Sequence, residues 1–193
     1  MYNKKMLTRS QAIEILNSHL KNKNLFRHCL SVEAVMKSLA RCFNEDEEKW
    51  GLVGLLHDGD WEETKDNHQE HTKKIVEWLK EKGENDKEII EAILSHNFKN
   101  NGFRPPQTKM EWALYTCDEL TGLIVAVTLV MPNKKLASVT VESVLKKFPS
   151  KSFAAGANRD QIKLCEEKLG IKLEKFIEIA LSAMQSISEE IGL

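Results

Sequence analysis

The sequence predicts an all-α protein. Three observations carry that expectation. Most of the 193 residues repeat their apolar positions at a helical period, only four prolines and nine glycines interrupt them, and no convincing run alternates apolar with polar residues. Thr8-Arg9-Ser10-Gln11 has the form of a capping box and opens a first helix that runs to about residue 21. A second helix is expected over about 25–43, with Leu25, Cys29, Val32, Val35, Met36 and Leu39 as its apolar stripe. Asn44 followed by Glu45, Asp46 and Glu47 fits the start of a third helix, where acidic side chains meet the positive end of the helix dipole. That helix carries Trp50, Leu52, Val53, Leu55 and Leu56 into His57-Asp58.

Residues 59–67 are polar and read as a loop. Further helices are expected over about 68–82, stopping at Gly83, and over about 85–97. Gly102 and the Pro105-Pro106 pair mark a break between 100 and 106. A long helix follows from about 108 to 131 and ends before Pro132, and shorter ones are expected at 138–148, 159–169 and 172–191. No repeat, low-complexity segment or linker divides the chain, so residues 1–193 read as one domain.

Composition excludes several classes. A net charge of −1 and a pI near 6.6 argue against bulk attraction to nucleic acid or to a membrane surface. Cys29, Cys42, Cys117 and Cys165 form no CxxC pair and read as reduced thiols. The N-terminal MYNKKMLTRSQ lacks the apolar core of a signal peptide, and the longest apolar-rich stretch, from Leu120 to Met131, reads as too short for a bilayer. The expected location is therefore the cytoplasm.

The strongest chemical signal is GLVGLLHDGD at 51–60, where His57 and Asp58 directly follow an almost wholly apolar helical segment. An unpaired carboxylate buried there would be costly, and a metal ion is one partner that satisfies imidazole and carboxylate together. The dipeptide alone fits better a helix C-terminus emerging into solvent, with His57 as a cap. Asp118 sharpens the choice: its neighbours one turn away are Leu114, Tyr115, Thr121 and Gly122, a poor face for a carboxylate without a partner. Glu119 beside it is expected to point to a different face. His28 lies early in the second helix, His96 ends an apolar run in AILSHN, and either His68 or His71 could face a metal. Gly51 and Gly54, six and three residues before His57, would let another helix approach closely.

The order His28, then His57-Asp58, then Asp118 resembles the H…HD…D signature of the HD-domain metal-dependent phosphohydrolases. The resemblance covers about residues 25–130 and includes RHCLSV around His28 and DELTGL around Asp118, leaving a C-terminal helical extension over about 135–193. It implies a compact helical bundle in which His28, His57, Asp58 and Asp118 are the core metal ligands, with His57 and Asp58 as the catalytic pair. Members with two metals carry two further histidines, which His71 and His96 match, so that Asp58 would bridge two ions. Gly59-Asp60 after the dyad, a single histidine at 96–97 and the lack of a GYP-like element depart from the cyclic-dinucleotide phosphodiesterases of the HD-GYP type. The whole chain is most similar to a group of small bacterial predicted HD hydrolases.

The implied activity is cleavage of a phosphoester of a small phosphorylated molecule, a nucleotide among the candidates, by a metal-activated water. Imidazole and carboxylate ligands suit Mn, Fe, Zn, Ni or Co, and Mg stays on the list. Two other readings keep the same residues: a di-iron oxygenase of HD type, and a non-catalytic metal- or nucleotide-binding module. Asp60, Glu62 and Glu63 are candidates for a base but read better as a solvated loop. For the substrate phosphate, Lys134-Lys135 and KSFAAGANR at 151–159 are the notable cationic stretches. Lys151, Asn158 and Arg159 are expected to contact the substrate, against the alternative of a surface loop and a helix cap. Cys117 reads as a small buried residue rather than a nucleophile.

Overall fold

The computed structural model describes residues 6–193, so the first five residues of the N-terminal stretch read above lie outside the described residues. All regular structure among the described residues is helical. Helix α1 (Arg9–His19) opens on the expected capping box, with Thr8 accepting from the Gln11 N–H while the Gln11 side chain accepts from Thr8. Helix α2 (Lys23–Phe43) is capped by the Asn22 side chain and ends at Asn44, which takes the left-handed conformation. Asn44 therefore closes α2 rather than opening the next helix. Asp46 opens it instead: its carboxylate accepts from the Glu48 and Lys49 N–H groups at the start of α3 (Glu47–Leu56).

The segment after the dyad is more ordered than its polarity suggests, holding a single helical turn, α4 (Trp61–Thr64). Residues 68–72 are turns, and α5 (Lys73–Glu81) begins after Thr72, whose φ of 75° cannot continue a helix. Helix α6 (Lys87–His96) is followed by the one-turn α7 (Phe98–Asn101) and by the central α8 (Lys109–Val130). Beyond a 3₁₀ turn come α9 (Val141–Lys147), α10 (Arg159–Leu169), α11 (Leu173–Ser186) and α12 (Ser188–Ile191).

Packing follows the apolar faces. Helix α3 lies along α2, and α8 is enclosed by α2, α6, α10 and α11. Residues from α2, α3, α8, α10 and α11 join one continuous core, including Met36, Leu55, Leu120, Ile162 and Phe176. By length and composition α8 is long enough to cross a membrane, longer than the stretch from Leu120 onwards suggested. It is instead largely buried inside the bundle. Its threonines stay satisfied there by bonding back to their own helix, Thr116 to the Trp112 carbonyl at 2.7 Å and Thr128 to that of Ile124 at 2.8 Å.

The start of α8 is fixed by an ion pair. Arg104, in the Pro-rich break, donates to both oxygens of Glu111 at 2.8 Å and to Glu91 at 2.8 Å. Glu111 also completes the capping box with Thr108. Burial would raise the Glu111 carboxyl, but the Arg104 contact and the Gln107 and Thr108 N–H groups hold it below its usual 4.5. A depressed carboxyl stabilises the fold above its unfolded pKa and loses that contribution as pH falls toward the native value. Arg104→Ala is expected to cost about 2 kcal/mol, because it strips the charged partner from a buried carboxylate. Urea unfolding at pH 7 measures the loss, and the gap between variant and wild type should narrow below pH 4.5.

Candidate metal centre

Four elements and one turn bring their polar groups to a single point. His28 comes from the second turn of α2, His57 caps the end of α3, His96 is the last residue of α6, and Asp118 sits midway along α8. Asp58 follows α3 directly, and His71 lies in the turn before α5. His57, His96 and Asp118 end or interrupt apolar helical faces, so forming the core brings them together.

The geometry has two lobes joined by Asp58. Its Oδ2 lies 3.7 Å from His28 Nε2 and 3.6 Å from His57 Nε2. Its Oδ1 lies 3.3 Å from His71 Nε2 and 3.5 Å from His96 Nε2. Asp118 closes the first lobe, with Oδ1 at 2.9 Å from His28 Nε2 and 3.5 Å from His57 Nε2. Its Oδ2 reaches toward His96 Nδ1 at 3.7 Å. The nitrogens of His28 and His57 face each other at 3.2 Å.

Three of the imidazoles are oriented from behind. His57 Nδ1 donates to the Gly54 carbonyl at 2.8 Å, and a carbonyl only accepts, so Nε2 is the nitrogen aimed at the centre. His71 Nδ1 donates to Asp60 Oδ1 at 2.7 Å. Thr121 gives its hydroxyl proton to the Asp118 carbonyl, which leaves its oxygen to accept from His28 Nδ1 at 3.3 Å. His96 differs: its Nδ1 is buried and has no hydrogen-bond partner.

The electrostatics are those of a tightly paired cluster. Burial alone would lower the His57 imidazole, but the Asp58 charge and the Asp118 contact raise it to about 9. His71 is likewise raised to about 9, against burial, by Asp58 and Asp60. Burial opposes ionisation of Asp58 and Asp118, yet the surrounding imidazoles hold both carboxyls below their usual range. The charged forms thus support each other, and a cation taking an Nε2 position must displace a proton. Burial and the carboxylate charges push the Cys29 and Cys117 thiols up, so neither serves as a thiolate nucleophile.

The turn that carries His71 is clamped. Asn97 Nδ2 donates to the His68 and His71 carbonyls at 2.7 and 3.1 Å, and Asn101 Nδ2 donates to Thr72 Oγ1 at 2.8 Å. A β-branched residue at positive φ is strained, and the Asn101 contact holds Thr72 there. Asp58, His71, His96 and Asp118 line a cavity of about 400 Å³.

Two sequence expectations need correction. Asp60 is fully buried rather than solvated, because its second oxygen accepts from the Ile75 N–H at the start of α5. Glu62 instead caps the entry to α2 through the Lys21 and Asn22 N–H groups, and Glu63 pairs with His19 at 3.0 Å. Glu119 lines the same cavity as Asp118 and accepts from the Asn158 N–H at 2.8 Å. The expected substrate contacts at 151–159 are not among the residues lining this cavity. Arg159 spends its guanidinium on the carbonyls of Phe148, Ser150, Phe153, Ala154 and Ala157, Asn158 caps α10, and Lys151 is exposed. Lys99 also lines the cavity, a residue whose place in a helix break gave no sign of it.

A family model for the HD domain matches residues 25–127, just over half of the chain. The chain belongs to the HD-domain family. That places it in a superfamily of metal-dependent hydrolases, and its histidine and aspartate groups are compatible with divalent metal binding. No match was found among curated proteins or among solved structures.

Proposed function

We propose that this HD-domain chain is a metal-dependent phosphohydrolase that cleaves a phosphoester of a small phosphorylated molecule. One observation carries the reading: the two oxygens of Asp58 face two separate pairs of imidazole nitrogens, all within 3.7 Å. That donor set, with the unpartnered His96 Nδ1, fits cations better than it fits a hydrogen-bond network. His28, His57, Asp58 and Asp118 would hold one ion, and Asp58, His71 and His96 a second. When bound, such ions supply Lewis acidity toward a phosphoryl oxygen and toward the attacking water.

The chain's own part is preorganisation. Gly54, Thr121 and Asp60 fix three imidazole rings from behind, so the ligand atoms need little rearrangement. The adjoining cavity leaves room for a substrate, which favours catalysis over a closed structural site. Metal analysis of the purified protein, followed by assays on phosphomonoesters with added Mn, Ni, Co, Zn and Mg, tests the proposal. Metal content with no turnover under any of these conditions would count against a hydrolase.

Asp60→Asn is a narrower probe. It keeps the shape but weakens the anchor behind His71, and metal affinity is expected to fall about 10–100-fold, the usual scale for partners of ligating histidines. Equilibrium dialysis should show the loss in one lobe only. An equal loss in both would refute the assignment of His71 to a separate lobe.

A further inference from the structure

Resting on the phosphohydrolase reading, we infer that Lys99 is the anchor for the substrate phosphate and that the cavity takes a small phosphomonoester. Lys99 is exposed and lines the same cavity as Asp58, His71, His96 and Asp118. No carboxylate among the described residues lies within ion-pair reach of its ammonium. It is steered by rings instead, 5.6 Å from the centre of Tyr115 and 5.9 Å from that of Phe98. Glu119 lines the same cavity and feels the Lys99 charge, but makes no ion pair with it, so the ammonium stays open to an anion.

Its position relative to the centre is fixed. Lys99 belongs to α7, and the asparagines on either side of it, Asn97 and Asn101, clamp the turn that carries His71. An ammonium and the His/Asp cluster therefore face one cavity from elements tied to each other. A phosphoryl group offers several oxygens at once, so part of it can meet the cluster while another oxygen meets Lys99. Arg159 cannot play this part, since five backbone carbonyls already occupy it.

The cavity has room for the substrate proposed. About 400 Å³ lies within the range of small-molecule sites and accommodates a compact phosphomonoester. Trp61 lines the cavity beside His71, with ring centres 4.9 Å apart, and offers an apolar wall for the organic part.

The test is calorimetric titration of inorganic phosphate into the manganese-loaded protein, for wild type, Lys99→Ala, Lys99→Arg and Lys151→Ala. Lys99→Ala should weaken phosphate binding about tenfold or more, the scale of a lost charge-assisted contact. Lys99→Arg should stay within about threefold, since the charge remains. Lys151→Ala and the manganese affinity of all variants should be unchanged. Equal phosphate affinity in wild type and Lys99→Ala, no phosphate binding by wild type, or a loss confined to Lys151→Ala would each overturn the anchor. The titration needs no turnover. Phosphate binding through Lys99 without cleavage of any phosphomonoester sinks the hydrolase reading alone. Cleavage whose inhibition by phosphate ignores Lys99→Ala sinks the anchor alone.

Discussion

On the proposed two-ion reading, Asp58→Asn is expected to abolish metal retention in both lobes and to lower the proposed hydrolysis by on the order of 10³-fold or more, the scale seen when a member of a cooperating catalytic unit is removed. The expectation follows from where its oxygens point. Oδ2 serves the His28–His57 side and Oδ1 the His71–His96 side, so one neutral amide weakens two donor sets at once. Asparagine keeps the volume, and the buried surroundings of His57 and His71 stay packed. Those imidazoles lose the charge that raises them to about 9, and their pKa values should fall.

His71→Ala is the contrasting variant. It leaves His28, His57, Asp58 and Asp118 intact, so one ion should remain while the other is lost. Metal content by elemental analysis separates the two cases, and circular dichroism confirms that both variants fold. If Asp58→Asn kept both ions, the bridging role of Asp58 would be wrong.

Much of this centre was legible in the sequence, for a physical reason. Asp118, His57 and His96 each interrupt an apolar helical face, and a buried polar group without a visible partner asks for one. The turn residues behaved differently. Asp60 looked solvated because Glu62, Glu63, Lys65 and Asp66 surround it in sequence, and only the folding of α5 over it puts it under cover. Residues 68–72 carry a helix-like pattern, yet Thr72 at positive φ delays α5 until Lys73, which is what frees His71 to turn inward. Arg159 promised an anion contact because a free guanidinium cannot be told in sequence from one consumed by carbonyls. Lys99 was hidden for the converse reason. Its proposed role depends on a one-turn helix brought to the cavity by contacts almost 30 residues away in sequence.

Gly54→Ala should destabilise the protein while Gly51→Ala should not, although both glycines lie on α3 with a Cβ aimed at α2. At position 54 a Cβ would stand 2.8 Å from the Val32 carbonyl oxygen, 2.9 Å from Met36 Cγ and 3.0 Å from Glu33 Cα. Two of those atoms are backbone, so the helices themselves would have to part. Overpacking of this kind costs about 1–3 kcal/mol, occasionally more, and the helix-propensity gain of alanine offsets up to about 1 kcal/mol of it. At position 51 the Cβ meets only the Lys37 side chain, which can swing away, and Glu33 keeps its bidentate bond to Arg9. The consequence reaches the centre. Helix α2 carries His28, α3 carries His57 with its Nδ1 on the Gly54 carbonyl, and their Nε2 atoms stand 3.2 Å apart. Spreading the helices at Gly54 should therefore lower Tm by several degrees, up to roughly 8 °C once the propensity gain is taken off, and weaken metal binding together. A thermal melt and a metal titration on both variants read the two effects, and a Gly54→Ala protein as stable as Gly51→Ala would show that α2 and α3 are not held as closely as described.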